Sequence, residues 1–454
     1  MANTKLTRSP SGSSNRRTMT WSWWIKRSKL GLGGGENSDI QYLYNQYNSS
    51  DNYNSGVLFQ SDDTIQFWDY GGSSNDLELK TNRKFRDTNG FYHIVLAIDT
   101  TQATASNRIK LYVNGVQETS FSTATYPNQN HQLRMNEYQV QQIGVQGYGS
   151  TYQSYFDGVM SHVNFIDGTT YTPSAFGETD ATTGEWKIKT SPSVTYGTNG
   201  FFILKDGNSV TDQSGKGNNF TVGGGTLTKT EDCPSNVFAT YNPLCVQVGN
   251  ANEPIFGNGN TSILGSSSGA IKFHAPSTLG ASSGKWYVEF KGLSSSNENG
   301  SIGVTYDPSE DARNDKYPGA ASYSWGYYVN GNYYNNDNAS SYGNAWNTDI
   351  IGVALDLDNS KLYFSKNGTW QNSGDPTSGS TGTGAISITA DKEYFFATGD
   401  GNTTYINPFD ANFGNGYFGT TAVSSAGTNA SGNGIFEYDT PTGYTALSTK
   451  GLNT

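Results

Sequence analysis

Arg108-Ile-Lys-Leu-Tyr-Val-Asn-Gly-Val-Gln-Glu118 is the stretch that decides the fold class. Apolar residues alternate at Ile109, Leu111 and Val113, as in a strand buried on one face. Asn114-Gly115 then supplies the two positive-φ positions that a type I′ hairpin turn requires. Just upstream, Phe91-Tyr-His-Ile-Val-Leu-Ala-Ile-Asp99 is almost continuously apolar, which marks a strand covered on both faces. His93 within that run reads as a packed core or edge residue, not a ligand.

The same grammar returns in the second half. Ile350-Ile-Gly-Val-Ala-Leu-Asp356 is the buried apolar strand, and Lys361-Leu-Tyr-Phe-Ser365 leads into Asn367-Gly368. Short runs rich in Val, Ile, Tyr, Phe, Trp and Thr recur between Gly, Asn, Asp and Ser clusters along the whole chain, and helical periodicity is hard to find. The expected fold is therefore all-β, with two antiparallel β-sandwich domains of jelly-roll type in tandem. The boundaries follow from composition. Residues 1–15 are polar and unpatterned and read as an N-terminal arm. Residues 16–230 form the first sandwich, 231–270 a Gly/Ser/Asn-rich linker without apolar periodicity, and 271–454 the second sandwich.

Composition agrees. Of 454 residues, 55 are Gly, 30 Tyr and 22 Phe, and only 15% are charged. Glycine at this level could signal disorder, but an aromatic content of 13% is far too high for that, so the glycines read as turn residues. A formal net charge of −11 argues against a phosphate-backbone partner, and nucleic acid is not expected. The basic cluster Arg16, Arg17, Lys26, Arg27 and Lys29 reads as a solvated strand face. Cys233 and Cys245 are too few for a disulfide framework and lack a CxxC metal pattern, so free thiols are expected. No signal peptide and no run of eighteen apolar residues appears, so membrane insertion is not expected and synthesis in a cytoplasm is.

Particular motifs also resemble known families. The second half is similar to a SPRY domain through Lys285-Trp-Tyr-Val-Glu-Phe290, Ser324-Trp-Gly-Tyr327, the run Ile351-Gly-Val-Ala-Leu-Asp-Leu-Asp-Asn-Ser-Lys-Leu-Tyr-Phe-Ser-Lys-Asn-Gly368, and Ala411-Asn-Phe-Gly414. The first half resembles the concanavalin A-like, laminin-G-type sandwich through Thr20-Trp-Ser-Trp-Trp-Ile-Lys26, Ile109 to Gly115, Phe156-Asp-Gly-Val-Met-Ser-His-Val-Asn-Phe165 and Asp212-Gln-Ser-Gly-Lys-Gly-Asn218. With Phe176-Gly-Glu-Thr-Asp180 and Pro441-Thr-Gly-Tyr-Thr-Ala-Leu447, the whole chain resembles virion-associated proteins of marine and cyanobacterial bacteriophages. That resemblance implies a tail fibre, spike or head-fibre subunit, located on the virion after assembly in the bacterial host. It also implies contacts with other virion proteins, adhesion to host-surface glycan and a homo-oligomer. Fibres of that kind are often trimers, but no coiled-coil heptads enforce a trimer here and the sequence leaves the oligomeric state open. A purely structural adaptor is the alternative, and a glycan depolymerase the lesser one.

Concanavalin A-like folds also host glucanases, whose chemistry needs paired carboxylates. Retaining enzymes hold two about 5 Å apart. Glu178-Thr-Asp180 starts the required spacing, but Thr182 and Thr183 stand where the second Glu belongs. Glu437-Tyr-Asp439 fails likewise at Pro441 and Thr442, and an enzyme is not expected. No cofactor is expected except calcium, which laminin-G-like sandwiches often hold on rim loops; Asp62, Asp63, Asp206 and Asp212 are the candidates. Gly31-Leu-Gly-Gly-Gly35 lacks the Lys-Ser/Thr of a phosphate loop. Sugar faces stack on aromatic rings and bond to amides, and two stretches interleave these: Tyr42, Tyr44, Tyr47 and Tyr53 in the first, Tyr327, Tyr328, Tyr333, Tyr334 and Asn335 in the second. Both stretches are read as loops. Burial in a trimer seam or alternation in a strand remains the competing reading.

Overall fold

The computed structural model describes residues 3–31, 39–48, 53–148, 150–205, 209–246, 254–266, 272–294, 299–313, 316–401 and 407–453. The chain divides into two compact units, Met1–Lys229 and Thr230–Thr454. Each is a two-sheet β-sandwich, and among the described residues helices amount to a few short turns.

In the first unit an eight-stranded antiparallel sheet runs in the order Phe121–Thr125, Asn75–Lys84, Thr64–Gly71, Tyr53–Phe59, Gln41–Asn48, Gln141–Ile143, Lys5–Arg8, Thr221–Gly224. Opposite it lies a six-stranded sheet, Phe201–Ile203, Gly158–Asp167, Thr18–Arg27, Tyr92–Asp99, Ile109–Val113, Val116–Glu118. Period-2 alternation on Thr18–Arg27 turns Trp21 and Trp23 inward, where their rings stack at 5.0 Å; Tyr44 meets Trp21 from the other sheet at 4.4 Å. The Asn114-Gly115 hairpin forms as expected, with φ of +48° and +81° and Val113 paired to Val116.

The Tyr92–Asp99 strand is covered on both faces. Ile94, Leu96 and Ile98 enter the central core, while Val95 packs outward under Phe176, Tyr196 and Phe202. His93 also faces outward, between the rings of Trp24 at 4.5 Å and Trp186 at 5.9 Å. The Trp186 indole donates to His93 Nδ1 at 2.9 Å, so Nδ1 is the acceptor and Nε2 carries the proton toward Ser22 Oγ, also at 2.9 Å. Burial holds this imidazole neutral, its pKa lowered to about 3.

Trp186 reaches His93 on the hairpin of Gly177–Thr179 and Trp186–Ile188, which lies across the outer face of the six-stranded sheet. A Cβ at Gly115 would come within 2.7 Å of the indole. Gly115→Ala therefore meets a steric block as well as a left-handed φ, and we expect it to lower first-unit stability by about 2 kcal/mol. A denaturant titration read by tryptophan fluorescence checks this; an unchanged midpoint contradicts it.

In the second unit a nine-stranded sheet has the path Pro254–Gly257, Ser262–Ser266, Phe409–Asn412, Lys285–Gly292, Ile350–Asp356, Lys361–Lys366, Thr369–Trp370. Ile386–Ser387 joins Lys361–Lys366, and Thr445–Ala446 adds a short parallel pairing beside Trp286. The six-stranded partner runs Phe273–Pro276, Phe395–Asp400, Gly300–Thr305, Ser324–Tyr328, Asn332–Asn335, Asn338–Ser341. Asn367 and Gly368 take φ of +46° and +78°, which makes the second Asn-Gly hairpin a counterpart of the first.

Three expectations are corrected. Residues 1–15 are not a free arm, because Lys5–Arg8 pairs with both Gln141–Ile143 and Thr221–Gly224 and buries Leu6. Four residues with one apolar side chain are too short to register as a period. The stretch 231–270 is not a linker in its described parts: Ala239, Tyr241 and Ile263 belong to the second core, and two strands lie within it. Its apolar anchors come singly between turns, so no window shows periodicity. The basic cluster is not a solvated face either, since Lys26 and Arg27 are buried and Arg27 pairs with Asp63 at 3.0 Å.

Candidate functional site

The two aromatic–amide stretches are strands where described, not loops; residues 49–52 lie outside the described residues. Buried amides hide the alternation in the first: Asn45 Nδ2 bonds Asn54 Oδ1 at 2.7 Å, and Gln46 Nε2 donates to the carbonyls of Glu137 and Gln139. The register shifts between Tyr42 and Tyr44, which sends Leu43 and Tyr44 to the core and leaves Tyr42 on the opposite, outer face. Tyr44 is therefore core and not a ligand contact. Its hydroxyl donates to Gln46 Oε1 at 2.8 Å, and burial pushes its pKa well up.

The outer face of the eight-stranded sheet collects the other rings. Asn45, Gly56 and Trp68 stand side by side across three strands, as do Tyr47, Asn54 and Tyr70. At Gly56 the missing side chain lets Tyr42 and Trp68 meet: a Cβ there would be 2.9 Å from Tyr42 Cε1 and 3.1 Å from Trp68 Nε1. A hairpin of Gln146–Tyr148 and Thr151–Gln153 folds over the same face. Its Gln146 Nε2 donates to the Tyr42 hydroxyl at 2.8 Å, its Gly147 N–H to Asn45 Oδ1 at 3.1 Å, and its Tyr148 ring meets Tyr47 edge-on at 4.9 Å. Tyr42 and Asn45 are thereby covered, while Tyr47 and Trp68 stay half-buried and Tyr148 is 36% exposed. Tyr53, farther along, carries the Arg134 guanidinium 4.7 Å above its ring. Sequence reasoning missed Trp68 and Tyr148, which lie far from the interleaved stretch in sequence and join it only through strand register.

In the second unit the expected set also divides. Tyr327 is core, its ring 5.3 Å from Phe364 and its hydroxyl bonded to the Asn344 carbonyl. Asn335 is structural, because its Nδ2 donates to the carbonyls of Ala321, Ser322 and Ser324. Tyr333 packs beside Tyr342 at 6.0 Å. Tyr328 and Tyr334 are half-buried with rings 4.9 Å apart, and Tyr328 packs at 5.9 Å from the buried Tyr317; the Tyr328 hydroxyl donates to Asn299 Oδ1 and that of Tyr317 to Asp337 Oδ1.

The calcium candidates are occupied by protein donors. Asp62 accepts from Thr64 N–H and Oγ1 and pairs with Lys80 at 3.0 Å. Asp63 accepts from Arg27, Arg86 and the Gly31 N–H. Asp212 organises its own turn, taking four donors from Phe202, Ser214 and Asn218. Asp206 lies outside the described residues, as does most of Gly31 to Gly35. The cluster Asp69, Asp76 and His131 has metal-like spacing, but Arg134 Nη1 already lies 2.9, 2.7 and 3.0 Å from its ligand atoms.

The candidate catalytic carboxylates are similarly engaged. Asp180 pairs with Lys187 at 3.0 Å and caps the turn at Thr182 and Thr183. Glu437 and Asp439 hold the backbones of Ser424 and Thr428. Glu289, buried in the second unit with its pKa raised to about 7 by desolvation, accepts from the N–H groups of Glu437 and Tyr438 and from Asn412. It latches the segment that closes the nine-stranded sheet.

The two units are thus sandwiches with aromatic surface. Comparison with known families agrees: residues 2–175 match the concanavalin A-like lectin/glucanases superfamily and residues 285–385 match the SPRY domain. The chain thus carries an N-terminal concanavalin A-like domain and a C-terminal SPRY domain. No curated protein matches it by sequence. Among solved structures, the SPRY domain of human HERC1 is 18% identical with a TM-score of 0.28, covering 38% of this chain and 96% of that one. The native heptameric SAP-like pentraxin from Limulus polyphemus is 16% identical at 0.28, covering 37% and 71%. Stonustoxin is 14% identical at 0.29; the match covers 59% of this chain and about a third, 34%, of stonustoxin.

Proposed function

We propose that this chain is a non-enzymatic adhesion and assembly subunit of a bacteriophage particle. In this reading the outer face of the eight-stranded sheet contacts host-surface glycan and the SPRY unit contacts other virion proteins. The observation that carries the glycan part is the gathering of Tyr47, Trp68 and Tyr148 on one sheet face among amides, with Tyr148 edge-on to Tyr47 and Trp68 two strands away beside Tyr42. Rings presented this way offer stacking area to sugar faces at little conformational cost, and the amides supply directional bonds. The phage setting is supported by the sequence resemblance alone. The structural-adaptor reading is favoured by Tyr328 and Tyr334, half-buried rings 4.9 Å apart on the six-stranded sheet of the SPRY unit, which leave ring surface for a partner to meet.

The test is retention of the purified full chain on immobilised host lipopolysaccharide or capsular polysaccharide. We expect Trp68→Ala and Tyr148→Ala each to weaken retention by about tenfold, the worth of one stacked ring. No retention of the unmodified chain at high concentration sinks the glycan reading and leaves the adaptor. Release of soluble sugar from the same material would favour a depolymerase.

A further inference from the structure

A cavity of about 700 Å³ opens where strand Lys5–Arg8 runs between its two neighbours, lined by Arg8, Ser9, Ser11, Tyr152, Asn218 and Asn219 among others. Arg8 is 6% exposed, yet among the described residues its guanidinium has no carboxylate partner. It is held by three neutral oxygens: Gln141 Oε1 at 2.8 Å, the Asn199 carbonyl at 3.1 Å, and Asn218 Oδ1. A guanidinium has five N–H donors, so the Nε–H and one Nη2–H remain unused. The nearest carboxylates are committed elsewhere. Asp212 takes its four donors from Phe202, Ser214 and Asn218, and Asp167 takes three from Asn15, Asn136 and Asn199. A second cation, Lys5, lies over the Tyr152 ring at 2.9 Å from its centre.

Burying a cation with no carboxylate in direct contact is costly; Asp212 and Asp167 act on Arg8 only at longer range and do not offset its desolvation, and it borders an open polar cavity. We infer that this cavity is a binding site for an acidic sugar residue, a hexuronate or sialate, distinct from the aromatic sheet face. The carboxylate meets Arg8, whose remaining donors suit two oxygens. The hydroxyls of the ring meet Ser9, Ser11 and the Asn219 amide, beside Tyr152, while the Asn218 amide, spent on Arg8 and on the Thr198 and Gly200 carbonyls, holds Arg8 in place.

The experiment is calorimetric titration of the full chain with glucuronate, glucose and acetate at low ionic strength. The expected result is a millimolar Kd for glucuronate, with glucose and acetate weaker by about tenfold or more, and loss of binding in Arg8→Gln. Equal binding of glucose overturns the charge requirement, equal binding of acetate overturns the sugar requirement, and absence of glucuronate binding overturns the site. Because Arg8 also ties the surrounding turn, Arg8→Gln is read only with its thermal midpoint retained; Tyr152→Ala, on a half-exposed residue, serves otherwise and is expected to weaken binding about threefold. Unchanged affinity in the folded variant used contradicts the assignment. Trp68→Ala should leave glucuronate binding intact, so this site and the sheet face can fail independently.

Discussion

Asp63→Asn is expected to lower the stability of the first unit by about 3 kcal/mol, which for a unit of this size is roughly a 10 °C fall in its thermal midpoint. Arg27 and Asp63 are both sealed from solvent, with side-chain exposures of 0% and 1%. Breaking such a pair by removing one partner leaves the other charge buried and uncompensated, and that cost exceeds the modest worth of the pair itself. Arg86 and the Gly31 N–H lose their acceptor in the same step. Calorimetry of the full chain checks the shift, and a change below about 1 kcal/mol would show that solvent reaches Arg27. The same instrument addresses calcium. With its oxygens committed to arginines, Asp63 has none to offer a cation, so adding calcium should leave the first-unit midpoint where it is.

Acid should weaken the first unit more than the second. In the first, His93 has a folded pKa near 3, below its unfolded value of about 6.5. The unfolded chain therefore takes up the proton first, so this stabilisation is complete above about pH 6.5 and declines as pH falls toward 3. By pH 4 the loss is about 3 kcal/mol. Lowered carboxylates such as Asp62 and Asp99 add to it in the same direction.

The second unit has His274, depressed in the same way, but also Glu289 and Asp311, whose pKa values burial raises to about 7. A raised acid keeps its proton in the folded state after the unfolded chain has lost it, so its contribution is complete below about pH 4 and declines as pH rises to 7. His274 Nδ1 and Asp311 Oδ2 are 3.6 Å apart and together hold one proton across this range, whichever atom carries it. Lowered carboxylates at Asp349, Asp375 and Asp439 work against this gain, so between pH 7 and 4 the second unit should lose less stability than the first. Separate midpoints in a calorimetric pH series test this, and parallel acid destabilisation of both units would refute it.

The fold was legible where the signal was local. Asn114-Gly115 and Asn367-Gly368 announce their turns within two residues, and the apolar runs beside them fix the buried strands. Lys5–Arg8 and the Tyr241 anchor were not legible, because each contributes a single core side chain; the strand partners of Lys5–Arg8 lie more than a hundred residues away, and Tyr241 meets Phe256, Phe290 and Phe413 across intervening turns and strands. The aromatic face illustrates the same limit. Tyr47 could be nominated from its neighbours, but a bulge after Tyr42 reverses which residues face inward, and Trp68 and Tyr148 reach the patch only through register. The aspartates were nominated by residue type; the donors that engage Asp62, Asp63 and Asp212 are brought to them by the fold, which sequence does not carry.

Gly115 is constrained from two sides at once. Asparagine and aspartate are the usual replacements for glycine in a left-handed turn, yet either would drive a Cβ into the Trp186 indole. Turn chemistry and strap packing are therefore expected to drift together across relatives: a chain with any side chain at this position should also have given up the large ring opposite, and with it the acceptor geometry that fixes which nitrogen of His93 bears the proton. An alignment of homologues would show this as paired substitution at two positions seventy-one residues apart.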